Sequence, residues 1–240
     1  DCFGLADWHF MEQRSLAGAN WKLAHDAHPD WYHLPVLHRD SFGPQTGNRT
    51  IYTSYGPHLR MFRPEPEMPP PPPEHDLYRL QDEQPSRWSV EAMLVGGWLA
   101  FPNLTMYALY REGRRYININ QIMPGAHVGQ SFTIQTTLSE SAPDETIIRH
   151  ACHIADMVEA VVRDEDLPNS ERQQRALESG LLKTVCFGEN EEGNQHFHRW
   201  FQTVIDADDA GLATLLSWGV TARLAADSNH SIMLGKNSSN

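Results

Sequence analysis

Cysteine is scarce in this chain. Only Cys2, Cys152 and Cys186 occur among 240 residues. They form no C-x-x-C pair and no even-numbered set, so a disulfide framework is excluded and a reducing, cytoplasmic compartment is expected. Basic charge is also short, with 19 Lys and Arg against 31 Asp and Glu and a formal net charge of −12. Phosphate backbones and anionic lipid surfaces are held by concentrated Lys and Arg, so nucleic-acid and membrane-surface partners are excluded. No apolar run approaches the roughly 20 residues that a membrane span requires. The chain begins Asp1-Cys2-Phe3-Gly4, without an initiator Met or a signal-peptide pattern, and reads as the interior of a longer polypeptide.

What remains is an ordinary globular composition, 40% hydrophobic and 21% charged. The chain is long enough to bury a core, and no repeat or second core is evident, so residues 1–240 read as one domain. From Phe10 to about His33 the composition favours helix, with Leu16, Trp21 and Leu23 as apolar anchors and a bend at Pro29. TIYTSYG and HLRMF, between Thr50 and Phe62, read as two short strands around a Gly-Pro turn. Residues 64–75 contain five consecutive prolines and favour an extended polyproline II arm.

Between Met93 and Leu138 the pattern turns to sheet. LVGGWLAF, LTMYALY, RYININQIM and VGQSFTIQTTL are β-branched and aromatic runs, punctuated by Pro102-Asn103, Glu112-Gly113 and Pro124-Gly125. Turns this short imply antiparallel neighbours. Ile147, Ala151, Ile154, Ala155, Val158 and Val162 then form the stripe of an amphipathic helix over 144–162. Pro168 interrupts that pattern. A second helix is expected from about Asn169 to Leu182, opened by a Ser170–Gln173 capping box, with others over 194–204 and 208–226. An antiparallel meander framed by helices is the α+β class.

Thirteen histidines are present, and the informative group lies in N20-W-K-L-A-H-D-A-H-P-D30-W-Y-H33-L-P-V-L-H38. Asp30 precedes His33 by three, on one side of a helical turn. His33 and His38 are five apart, about 140° around an ideal helix, so a straight helix would not aim both at one point. Pro35 is expected to end or kink the helix and let the second imidazole swing back. Two imidazoles and one carboxylate on one face leave coordination positions open, the facial-triad arrangement of non-haem iron oxygenases. An H-x4-H pair alone is a weak signal and is as readily surface or core packing. Asp166, in the acidic run Asp164-Glu165-Asp166 beside Pro168, reads equally as a helix N-cap, and Asp164 and Glu165 read as a solvated face.

The surrounding residues carry more. N-W-K followed by D-x-Y-H-x4-H resembles the iron-binding signature of the large (alpha) subunits of Rieske-type aromatic-ring-hydroxylating oxygenases. Glu165-Asp166, then Gln174 and Leu177, matches that family's third-ligand motif, and Glu171 stands where the family often has Glu. F101-P-N-L and G193-N-Q-H-F-H-R-W are similar to further family elements. The resemblance runs from about residue 18 to 204. One departure stands out, because His25-Asp26 occupies the place of the family's usual Glu-Asn.

The resemblance implies a helix-grip fold (START/Bet v 1-like), a curved antiparallel sheet around a long helix. It implies a mononuclear Fe(II) held by His33, His38 and Asp166, with Asp30 hydrogen-bonded to His33 and bridging to the cluster of a neighbouring subunit. A [2Fe–2S] Rieske cluster needs C-x-H and C-x-x-H, and none of the three cysteines opens either motif, so the cluster domain is expected outside this chain. The implied reaction is O2-dependent hydroxylation of an aromatic or other apolar small molecule, with NAD(P)H electrons relayed by a ferredoxin or flavin reductase. The implied assembly is a homotrimer, with or without a small beta subunit. Asp26, Trp98, Phe101, Met106 and Phe132 are candidate pocket residues, and His25 and His28 read as structural or pocket-lining. Two other readings use the same residues: a helix-grip binding module without catalysis, and a zinc hydrolase built on the two histidines and Asp166.

Overall fold

A computed structural model describes residues 4–42, 50–62, 96–216 and 233–234. The proline-rich stretch 64–75 and residues 217–226 of the last expected helix lie outside these. Eight strands form one antiparallel sheet: β1 (His9–Gly18), β2 (Ile51–Tyr55), β3 (His58–Phe62), β4 (Gly97–Ala100), β5 (Leu104–Arg111), β6 (Arg114–Pro124), β7 (Ser131–Ser139) and the two-residue β8 (Met233–Leu234). Their order is β1-β7-β6-β5-β4-β3-β2-β8, so β2 to β7 run as a meander and β1 closes on its last strand. The hairpin between β5 and β6 turns at Glu112 and Gly113, with φ of 50° and 73°. Two consecutive positive φ angles match the twist of the flanking strands, and the second falls to glycine.

The segment 9–18 is strand, against the helical expectation. Its partner β7 is more than 110 residues away, with Leu16 opposite Thr133 and Ala17 opposite Phe132. A register shift between Phe10 and Glu12 breaks the alternation that would have marked the strand locally. Helix begins only at α1 (Trp21–Asp26), where the Asn20 side chain accepts from the Lys22 N–H at 2.9 Å.

The long helix α3 (Glu145–Val161) starts where expected, with the Asp144 carboxylate accepting from the Ile147 N–H at 2.7 Å. Its buried stripe of Ile147, Ala151 and Ile154 packs with Tyr116 of β6, Met11 of β1 and Leu109 of β5. The sheet thus grips the helix. This α+β helix-grip architecture is the one implied by the resemblance. Leu16, Ala24, Ile122, Val162 and Leu167 form a second core that ties β1, α1 and β6 to the end of the long helix.

Pro168 does not stop that helix. Residues Val162–Asp166 make a π-helical turn, the Leu167 N–H reaching back to the Val162 carbonyl, and α4 (Leu167–Glu178) continues from it. Proline sits in the first turn of α4, where its missing N–H costs little. The expected capping box is absent, because the Ser170 hydroxyl donates to the Leu23 carbonyl at 3.1 Å and so staples α4 to α1. The remaining helices are α2 (Leu34–Leu37), α5 (Glu192–Asp206) and α6 (Asp209–Leu216).

Candidate metal centre

Three contacts lock α4, and with it Asp166, onto the segment bearing the histidines. Besides the Ser170 staple, the Asn20 N–H donates to Gln174 Oε1 at 3.2 Å, and Gly18 leaves the Leu167 side chain room to approach β1. Helix α5 fixes the other side. Gly193 passes so close to Pro29 that an added Cβ would lie 2.5 Å from the Pro29 carbonyl oxygen, so only glycine fits. The Asn194 amide donates to the Asp26 carbonyl at 3.1 Å, and the Tyr52 hydroxyl donates to Pro29 O at 2.8 Å.

Pro35 opens a helix where a helix end was expected. It lies in the first turn of α2, with His33 at the N-cap and His38 at the C-cap. One turn separates the two rings, and His38 leaves the helical path at φ −100° and ψ 23°, which lets it face back. The rings meet edge to face, centroids 4.9 Å apart.

His33, His38 and Asp166 converge. The two Nε2 atoms are 3.1 Å apart, and Asp166 Oδ1 lies 3.6 Å from His33 Nε2 and 3.2 Å from His38 Nε2. The far nitrogen of each ring meets a different acid. His33 Nδ1 is 3.2 Å from Asp30 Oδ2, and His38 Nδ1 is 2.6 Å from Glu165 Oε2. Each carboxylate can accept a proton carried on Nδ1, an arrangement that would leave Nε2 of the same ring as the donor to a metal. Asp166 Oδ1 is itself buried without a hydrogen-bond partner. Three potential electron-pair donors therefore converge on one point, an arrangement that a bound cation would satisfy. Metal–ligand bonds of about 2.1 Å with angles of about 90–110° space their ligand atoms about 3.0–3.4 Å apart. Two edges of the triangle, 3.1 and 3.2 Å, fall in that range, and the third, 3.6 Å, is slightly wider, so a small closure would seat a first-row metal. Among the described residues the triangle is the one group of histidine, cysteine and carboxylate donors so arranged.

Electrostatics separates these histidines from their neighbours. Burial disfavours charge on His38, but the carboxylates of Asp166 and Glu165 outweigh it and raise its pKa. Burial holds His28 down to about 4 despite the nearby charge of Asp166, and holds His25 well below the ordinary range. His25 stacks on Phe197 with centroids 4.0 Å apart, and His28 Nδ1 meets the Tyr107 hydroxyl at 2.9 Å. Neither joins the triangle.

A cavity of about 130 Å³ reaches His33 and Asp166. Asp26, Asp30, Glu191 and Asn194 border it, and among the described residues no strand residue does. Asp26 lies 2.8 Å from His198 Nε2, and burial raises its pKa against that contact. Trp98 and Met106 pair across β4 and β5, and their neighbours Gly97 and Leu99 face the core. With a side-chain period of two, Trp98, Met106 and Phe132 fall on the opposite face of the sheet, away from this cavity. Phe101 follows β4 and packs 5.8 Å from Phe197. Asp166, read alternatively as an N-cap, makes no capping hydrogen bond. Glu165, read as solvated, is the acid behind His38, and Ser41 Oγ donates to it at 3.0 Å. Asp164 is the exposed member of the run, paired with Arg163.

Residues 5–207 match the model of the ring hydroxylating alpha subunit (catalytic domain). The chain belongs to that family. The alpha subunits of Rieske oxygenases also supply its structural neighbours. The quaternary ammonium Rieske monooxygenase CntA in complex with L-carnitine superposes with a TM-score of 0.56 at 13% identity, over 83% of this chain and 50% of that one. NdmB of Pseudomonas putida CBB5 gives 0.56 at 14% identity, over 88% and 56%. Dicamba monooxygenase bound to 3,6-dichlorosalicylic acid gives 0.50 at 12%, over 84% and 61%. This chain thus spans little more than half the length of these structures, and at such identities the likeness is one of fold. No curated protein matches it by sequence.

Proposed function

We propose that this chain is the catalytic domain of a terminal oxygenase that holds one mononuclear Fe(II) on His33, His38 and Asp166. Membership of the family supports an oxygenase, and the convergence of His33 Nε2, His38 Nε2 and Asp166 Oδ1 carries the assignment of the site. When bound, the iron supplies open coordination positions for O2, which three protein ligands on one side leave free. The chain's own residues do the rest. Asp30 and Glu165 keep both imidazoles in the tautomer that presents Nε2, and the turn between α3 and α4 brings in the third donor.

Electrons come from NAD(P)H through a ferredoxin or flavin reductase and a [2Fe–2S] Rieske cluster carried outside this chain's three-cysteine sequence. In the homotrimer, with or without a beta subunit, Asp30 links His33 to the cluster of the neighbouring subunit. The substrate is a small organic molecule, aromatic rings being the family's commonest class. The carboxylates bordering the cavity favour neutral or cationic molecules over anions. The zinc-hydrolase reading uses the same donors and is separated by metal analysis and O2 dependence.

The test is peroxide-driven turnover. Peroxide brings oxygen already reduced, so the Fe(II)-loaded protein should hydroxylate an aromatic substrate at a low rate, and Asp166→Ala should abolish this. Sustained NADH-coupled product formation by this chain and a reductase alone would refute the electron path.

A further inference from the structure

We infer that Glu165 is a positioning residue for the metal centre, setting the tautomer and orientation of His38. The inference rests on the reading of His33, His38 and Asp166 as iron ligands and extends it to a residue outside the triad. Glu165 and Asp166 are consecutive, yet their carboxylates meet opposite nitrogens of one imidazole. Glu165 Oε2 is 2.6 Å from His38 Nδ1, and Asp166 Oδ1 is 3.2 Å from His38 Nε2. Both residues lie in the π-helical turn Val162–Asp166, whose wider path departs from α-helical spacing just where the clamp forms. The His38 ring between them is buried, 2% exposed, so its contacts with the protein decide which nitrogen keeps a proton when a metal binds.

The short contact to Glu165 places that proton on Nδ1 and leaves the Nε2 lone pair for the metal. Were the proton on Nε2, His38 could not be a ligand. Ser41 holds the acid in turn, its hydroxyl donating to the same Oε2 at 3.0 Å. The His33 side has an analogous acid, Asp30, but at the longer distance of 3.2 Å and with its other oxygen accepting the Tyr32 N–H. Glu165 therefore grips its imidazole more tightly than Asp30 does.

The experiment compares Glu165→Ala, Glu165→Gln and Asp164→Ala with the parent protein. Fe(II) affinity is read by anaerobic chelator competition, and site symmetry by electron paramagnetic resonance of the ferrous–nitric oxide complex. Loss of an acid behind a metal-bound imidazole costs about 10–100-fold in metal affinity. Glu165→Ala should show that loss with a changed nitrosyl spectrum. Glu165→Gln, which still offers an accepting oxygen, should recover most of the affinity and restore the spectrum. Asp164→Ala removes an exposed neighbour and should change neither. Long-range 15N–1H correlation of the metal-free protein should find His38 protonated at Nδ1 in the parent and mixed in Glu165→Ala. Parent-like affinity and spectrum in Glu165→Ala would overturn the positioning role. Failure of the parent to bind Fe(II), or undiminished binding in His38→Ala, would instead overturn the iron centre itself.

Discussion

Residues 25–38 carry four histidines that divide into two pairs with opposite surroundings. His25 and His28 face rings and hydroxyls: Phe197 stacked on one, Tyr107 and Thr105 beside the other. His33 and His38 each meet a carboxylate at Nδ1 and share a third at Nε2. The first pair is thereby held neutral and used as packing. The second is arranged, with Asp166, as the donor set proposed for the iron. Imidazole content does not distinguish them, and neither does burial, since His25 and His38 are 1% and 2% exposed. The acid behind the ring does.

Breaking the packing pair should cost stability and spare the metal. Phe197→Ala removes the ring under His25 and a wall shared with Trp21 and Phe201, and should destabilise the protein by about 3–5 kcal/mol. Iron per folded molecule should stay unchanged, as read by metal analysis alongside denaturant unfolding. Lost iron in the folded fraction would mean that the two pairs form one unit.

A pH titration sharpens the contrast. His28 stays neutral in the metal-free fold down to about pH 4, whereas in the unfolded chain it takes a proton near 6.5. Its contribution is thus fully present above about pH 6.5 and is lost as pH falls towards 4, on the order of 3 kcal/mol in total. The stability difference between the parent and His28→Asn should shrink across that window in urea melts. A pH-independent difference would contradict the packing role.

Among the residues that touch the triangle, Asp30 should give a small effect on metal binding. Asp30→Asn keeps an accepting oxygen for His33, so Fe(II) affinity should fall by no more than about tenfold. Reduction of the iron by a Rieske cluster should nevertheless slow, measured in single turnover with the cluster domain supplied. Parent-like rates would remove the bridging role.

The pair of histidine positions and Asp30 were legible because they sit within nine residues, where spacing alone limits the geometry. The sheet from β4 to β7 was equally legible, since alternation and short turns are local signals. Four features were not. Strand β1 depends on β7, more than 110 residues away, and its bulge obscures the period. The helix through Pro168 depends on a π-helical turn that no residue type announces. Glu165 looked like its exposed neighbour Asp164, and only the fold shows that one side of the turn meets His38 while the other meets solvent. Trp98, Met106 and Phe132 were apolar and aromatic, as a pocket wall would be, but sheet register turned them to the other face.

The central claim is that the acid-backed pair and Asp166 form one iron site. The most direct measurement is anaerobic Fe(II) titration of the metal-free protein, with iron counted per chain after removal of excess. One tightly held Fe(II) is expected, reduced at least about 100-fold in affinity by His33→Ala, His38→Ala or Asp166→Ala and left intact by His25→Ala. A parent that retains zinc but no iron, or a His25→Ala protein that loses iron as readily as His38→Ala, would contradict the account.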